Sequence, residues 1–158
     1  DSTYGFNINL YWKNFDLGIV ATGVTGNKLV QSYRNQGNQK ANYTTRILDR
    51  WTGEGTSNKI PRVTNSNINW QFSDLYLQDG DYLRISNVTI GYDFAPLMNQ
   101  KWCSQCRLYF QAQNLLTFTK YDGMDPEIVY GTSDWVSGVD LGYYPRPRTF
   151  LFGVNLAF

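Results

Sequence analysis

The stretch RTFLFGVNLAF alternates without a break. Phe150, Phe152, Val154, Leu156 and Phe158 fall on one face of an extended strand, and Thr149, Leu151, Gly153, Asn155 and Ala157 on the other. YGFNINLYW repeats the pattern, with Tyr4, Phe6, Ile8, Leu10 and Trp12 opposed to Gly5, Asn7, Asn9 and Tyr11. After Lys13-Asn14, FDLGIVATG carries it on with Phe15, Leu17, Ile19 and Ala21, so a tight turn is expected to join two antiparallel strands. In YLRISNVTIGYDF the phase changes midway. Leu83 and Ile85 lie out of step with Val88, Ile90, Tyr92 and Phe94, which predicts a bulge near Ser86 and Asn87. RLYFQAQNLLTFTKY places Leu108, Phe110, Ala112, Leu116 and Phe118 on one face, with Asn114 as the exception.

These segments predict strands over about 4–12, 15–24, 81–94, 106–121 and 148–158. The connections alternate in length. Lys13-Asn14 and the APLMNQKWCSQC segment are short, whereas about 25–80 and 122–147 are long, polar and without alternation. Within the first long connection, ANYTTRILDRW (Ala41–Trp51) is a candidate short helix packing Ile47, Leu48 and Trp51. Two-faced strands of about ten residues, short turns at one end, long loops at the other and aromatics near strand ends together form the pattern of an outer-membrane β-barrel. The expected fold is all-β, a transmembrane antiparallel barrel. Five strands cannot close alone, because an open edge at membrane depth leaves backbone groups unpaired at several kcal/mol each. Either several copies assemble or the chain is part of a larger barrel, and an odd strand number favours the latter.

Composition narrows the classes. With 42% hydrophobic and 16% aromatic residues but a mean hydropathy of −0.44, apolar residues are segregated by face, and no run approaches the roughly 18 apolar residues of a membrane helix. A net charge of +1 without a Lys/Arg cluster argues against a nucleic-acid partner. DSTYGFNINL lacks the basic-then-apolar form of a signal peptide. The absence of His rules out Ser-His-Asp and Cys-His arrangements, so no enzyme is expected. The acid pairs Asp49/Glu54 and Asp125/Glu127 lie in loops without an apolar setting, and Asp125-Pro126-Glu127 reads as a turn. No EF-hand spacing is present, a zinc site lacks half its ligands, and no cofactor is expected. Cys103 and Cys106, in CSQC, are a possible disulfide in an oxidising compartment.

Four stretches, LDRWTGEGTSNKIPRV, DGDYLRISNVTIGYDF, RLYFQAQNLLTFTKYDGMDPE and GVDLGYYPRPRTFLFGVNLAF, resemble in order the C-terminal end of SusC/RagA-type TonB-dependent transporters of Bacteroidetes. The resemblance spans nearly the whole chain. It implies that residues 1–158 are about five C-terminal strands of a larger, plugged barrel of about 22 strands. It further implies import of oligosaccharides or peptides, a SusD-like surface lipoprotein as lid, and energy from the TonB complex through an N-terminal region and a plug that this sequence does not contain. The end of the chain resembles the family's signal to the barrel-assembly machinery through Gly153, Leu156 and Phe158, although Leu151 stands where a polar residue is usual.

On this reading Phe6, Ile8, Leu10, Phe110, Phe118, Phe150, Phe152 and Val154 face lipid. Asn7, Asn9, Gln111 and Gln113 face inward, either lining a wet path or simply forming the wall between barrel and plug. In the long loops Trp70, Tyr76, Trp135 and Tyr143 could stack on sugars, pack on the lid, or pack among the loops themselves. The competing architecture is a soluble, secreted all-β carbohydrate-binding domain whose sandwich buries the apolar faces internally.

Overall fold

The computed structural model describes residues 1–32, 44–64, 71, 73–98, 103–128 and 138–158. Its main body is one antiparallel sheet of five strands: β1 (Ser2–Trp12), β2 (Phe15–Thr25), β5 (Tyr82–Asp93), β6 (Gln105–Thr119) and β8 (Thr149–Ala157), in the order β1-β2-β5-β6-β8. Three short strands, β3 (Lys28–Gln31), β4 (Leu77–Asp79) and β7 (Val139–Asp140), form a second sheet in the order β4-β3-β7. Each strand of the main sheet pairs with the next one in that sheet along the chain, as consecutive two-faced strands do when each apolar side must share a face with its neighbour's.

The register aligns the apolar sets into rows. Phe6, Ala21, Ile85 and Leu116 form one row, Ile8, Ile19, Val88, Ala112 and Phe150 the next, then Leu10, Leu17, Ile90, Phe110 and Phe152. Aromatics gather at the row ends nearest the connections. Trp12, Phe15 and Tyr92 share a row at the short-connection end, where the Phe15 and Tyr92 ring centroids lie 4.4 Å apart and those of Tyr92 and Phe94 4.6 Å apart. Tyr4 and Phe118 flank the row at the opposite end.

That apolar face is open. Phe6, Ile8, Leu10, Phe118, Phe150, Phe152 and Val154 are exposed, Phe152 at 84%, while Phe110 is half-buried between Phe150 and Phe152, its ring centroid 6.0 and 4.9 Å from theirs. Buried apolar side chains are few among the described residues: Leu29, Cys103, Ala112 and Tyr121. A sandwich core would need a second layer on the rows of Ile8 and Leu10. The three-stranded sheet is too short to supply one, having strands of 4, 3 and 2 residues.

The bulge expected from the phase change is present, as the pairing skips Ser86 between Ile85 and Asn87. On β6 the same step is matched by Asn114, the exception on the apolar face, which takes a positive φ of 51° and donates its side-chain amide to the carbonyl of Pro147 at 3.0 Å. Asn tolerates that conformation better than most residues, so a polar residue in an apolar row turns out to be a bend with a partner. Lys13 in the tight turn likewise has φ 53°, and its ammonium lies 5.0 Å from the Trp12 ring centroid.

Two sequence expectations need correction. The segment 25–80 is not devoid of strands, since it contributes β3 and β4, whose partners lie far away in sequence. The candidate helix reduces to a single 3-10 turn, Thr45–Asp49, with Leu48 73% exposed; Ala41–Tyr43 lie outside the described residues. Thr44 and Thr45 are weak helix formers, and with Leu48 facing outward no packed apolar face extends the turn.

Candidate functional site: the polar sheet face and the loop cap clasped to it

The second face of the main sheet is polar and internally bonded. Asn7 and Asn9 lie on the edge strand, the Asn9 amide donating to Asn7 Oδ1 at 3.2 Å, and the register places Gln111 and Gln113 on the same face, opposite Thr89 and Asn87. At the bulge the hydroxyls of Thr22 and Ser86 meet at 3.0 Å. Asn87 Oδ1 is buried without a protein partner. The four amide residues read from the sequence as inward-facing therefore share one face, while Trp70 and Trp135 lie outside the described residues. Tyr76 ends a 3-10 turn (Asp74–Tyr76), where burial pushes its phenol above the usual range, and Tyr143 is exposed in the coil that leads to β8.

Toward the short-connection end, Arg107 on β6 reaches Asp16 on β2 with Nε at 2.8 Å and Nη2 at 2.5 Å. The pair crosses the intervening β5 at Gly91, where a Cβ would run into both Asp16 Oδ1 and Arg107 Nε. The missing side chain is what lets a two-pronged ion pair tie strands that are not neighbours. Beside it the Arg107 guanidinium lies 5.0 Å from the Tyr109 ring centroid, and that ring covers Gly153 on β8. Gly153, which the sequence reading placed in an insertion signal, makes room here for the Tyr109 ring.

At the long-connection end sits a cluster that sequence reasoning missed. Arg84 on β5 is 3% exposed, yet each guanidinium nitrogen has a partner: Nε donates to Thr117 Oγ1 at 3.1 Å, Nη1 to Glu127 at 2.9 Å and Nη2 to Asp125 at 2.5 Å. Glu127 also takes Arg146 at 2.9 Å, and Asp125 Oδ1 accepts the Glu127 backbone N–H at 2.9 Å. A buried guanidinium is tolerable only when paired, and deleting one partner of such a pair typically costs about 3–5 kcal/mol. Asp125-Pro126-Glu127 is a turn, as read, but its carboxylates converge on a cation 41 and 43 residues away. The one available signal was an Arg within an otherwise regular strand, and that names no partner.

The small sheet stands over this end. β3 pairs antiparallel with β4 from its own connection and parallel with β7 from the other, with Val30 N bonded to the Gly138 carbonyl and Ser32 N to the Asp140 carbonyl, both at 2.8 Å. The buried Tyr121 hydroxyl donates to Asp140 at 2.5 Å, and Asp122 N donates to Gln78 Oε1 at 3.1 Å. Gln31, 3% exposed, leaves its Nε2 without a protein acceptor. On the surface Lys28 and Asp79 form an ion pair that lowers the Asp79 carboxyl and raises the Lys28 ammonium from their ordinary values. An open cavity of about 570 Å³ lies in the first connection, with Trp51, Lys59, Pro61, Arg62 and Leu75 among its walls.

The disulfide that CSQC allowed is not formed. Cys103 and Cys106 are free thiols, and the Cys103 Sγ–H instead donates to the Gln105 carbonyl at 3.2 Å. Among the described residues no group of His, Cys, Asp and Glu is placed to hold a metal ion.

Solved transporters share this chain's fold. The RagAB peptide importer in its open-open state superposes with a TM-score of 0.78 at 25% identity over 99% of this chain, and in its closed-closed state with 0.77 at 27% identity, again over 99%. Over its full length the chain is 34% identical to the TonB-dependent receptor P3 of Formosa agariphila and 29% identical to the TonB-dependent receptor SusC of Bacteroides thetaiotaomicron. The chain belongs to the SusC/RagA-type TonB-dependent receptors. No family model matches it. It spans 16% of the P3 receptor, 15% of SusC and 17% of the RagAB chains, so it corresponds to a fragment of a larger receptor. TonB-dependent receptors reside in the bacterial outer membrane and are transporters, not enzymes. By this kinship the antiparallel sheet is part of a receptor barrel, and the soluble sandwich is set aside.

Proposed function

We propose that this receptor imports oligosaccharide or peptide nutrients across the outer membrane with a SusD-like surface lipoprotein as lid, driven through the TonB complex from the inner membrane. The observation that carries the reading is the sheet's two-sidedness. One face is an open apolar field with aromatics near both ends, the form expected of a lipid-facing wall, and the other is polar, the form expected of a barrel interior. Strands of 9 to 15 residues are long enough to cross, since a tilted transmembrane strand needs about 9–11.

On this reading Phe6, Ile8, Leu10, Phe110, Phe118, Phe150, Phe152 and Val154 contact lipid, and Asn7, Asn9, Gln111 and Gln113 face the lumen. The tight turn at Lys13-Asn14 is periplasmic, the small sheet is extracellular, and the edges of β1 and β8 pair with further strands of a closed, plugged barrel of about 22. Gly153, Leu156 and Phe158 are then the insertion signal read by the barrel-assembly machinery. The likeness to a peptide importer supports peptides as one candidate cargo.

The test is uptake by the source bacterium with and without the receptor gene, using fluorescent oligosaccharides and peptides. A proton-gradient uncoupler and affinity purification of the receptor with its lipoprotein complete the set. Gene-dependent, uncoupler-sensitive uptake with a co-purifying lipoprotein is expected. Uptake indifferent to both the gene and the uncoupler would sink the reading.

A further inference from the structure

Among the described residues the two long connections meet in one small sheet, and the contacts that join them to the main sheet include the Asn114 amide on the Pro147 carbonyl and the Arg84 cluster. β3 is the shared element, held by β4 on one side and by β7 of the other connection on the other side. Tyr121 to Asp140 and Asp122 to Gln78 add side-chain links across the same junction. Among the described side chains that connect this cap to the main sheet, Arg84 alone is a buried cation reaching carboxylates: β5 supplies the guanidinium, and both acids come from the start of the β6–β8 connection. Arg146, from the far end of that connection, closes on Glu127. The cluster therefore binds three chain segments at once: β5, the segment leaving β6 and the segment entering β8.

We propose that Arg84 is a latch which sets the position of a single cap, built from both long connections, over the polar face. It is a positioning residue for the cap, and barrel closure does not depend on it. The geometry explains why Arg is used: a planar fork directs separate N–H groups to Thr117, Asp125 and Glu127, which the compact Lys ammonium cannot match. Because β3 belongs to one connection and the Arg84 partners to the other, releasing the latch loosens both together. The proposal is independent of the cargo, and none of its readouts involves transport.

The experiment uses the full-length receptor in outer membranes, comparing Arg84→Gln, Arg84→Lys and wild type. Barrel folding is read from the heat-modifiable band on gels, and cap order from hydrogen exchange at Lys28–Gln31 and Val139–Asp140 and from cleavage of 122–148 by protease added to cells. For Arg84→Gln, the folded band is expected to persist while exchange in both strands and cleavage rise together by about tenfold or more; Arg84→Lys should fall between. Unchanged cap exchange in a folded Arg84→Gln receptor would overturn the latch. Loosening of Val139–Asp140 with Lys28–Gln31 still protected would overturn the single cap. Should Arg84→Gln not assemble, independence from barrel closure is refuted, and Glu127→Gln tests the remainder: it keeps Asp125 on Arg84 but removes the charge at 127 and leaves one acceptor oxygen where Arg84 and Arg146 now use two, so coupled loosening of a few fold supports the latch, and no change refutes it.

Discussion

Replacing Phe152 by Arg tests which face of the sheet meets lipid. Phe152 is 84% exposed in the row Leu10, Leu17, Ile90, Phe110, Phe152, and it is the fourth of nine residues in β8, away from both ends of the strand. An Arg near the bilayer midplane on a lipid-facing wall costs about 2–4 kcal/mol. Loss of the ring contact to Phe110, with centroids 4.9 Å apart, adds about 0.5–1.5 kcal/mol. The expected total is about 3–5 kcal/mol, a factor of at least one hundred in the folding equilibrium, since about 1.4 kcal/mol is tenfold. The same substitution one position earlier is the control. Leu151 pairs with Gln111 on the polar face, so Leu151→Arg is expected to cost no more than about 1 kcal/mol, the usual size for a surface change outside lipid. The assay is urea unfolding of the full receptor in lipid vesicles, followed by the heat-modifiable band. Equal losses at both positions, or a larger loss at Leu151, would refute the assignment of faces, because a single-residue step along a strand must exchange them.

Gly91→Val should displace the Asp16–Arg107 pair and destabilise the receptor by about 1–3 kcal/mol, with less effect in an Arg107→Gln background; a double-mutant cycle in the same unfolding assay reads the difference, and additive losses would deny the contact. For the exposed Lys28–Asp79 pair, Asp79 is lowered from 3.8, so its contribution is present above that value and is lost as pH falls through the lower folded value. Lys28 is raised from 10.5, so its contribution holds below that value and disappears as pH rises through the higher folded one. Hydrogen exchange of β3 should therefore keep the pair's small contribution across the neutral range and lose it at both extremes or in high salt, whereas Asp79→Asn should abolish the dependence. Deleting Phe158 should reduce the amount of receptor assembled in the outer membrane by several fold while leaving the unfolding midpoint of the assembled fraction within error, as immunoblots of membrane fractions would show.

The sheet was legible because its signal is local. Alternation with period two is written in consecutive residues, so YGFNINLYW, FDLGIVATG and RTFLFGVNLAF read as two-faced strands with no knowledge of partners, and the slip of phase at Ser86 read as a bulge. The family was legible from the order of its motifs. The chemistry that ties the sheet together was not, because it depends on separations that sequence spacing does not encode. Asp16 and Arg107 are 91 positions apart and meet only because the register places Gly91 between them. Asp125 and Glu127 look like turn residues until the fold lays them on Arg84. β3 and β7 carry four and two residues, too few for any periodicity, and they are strands because distant backbone meets them, β4 and β7 on β3 and β3 on β7. The amino-acid sequence alone determined which residues share a face, since side-chain direction follows from the backbone repeat. Only the tertiary structure decided which charges pair and how the two long connections merge, since those outcomes depend on the paths by which distant segments return to one another.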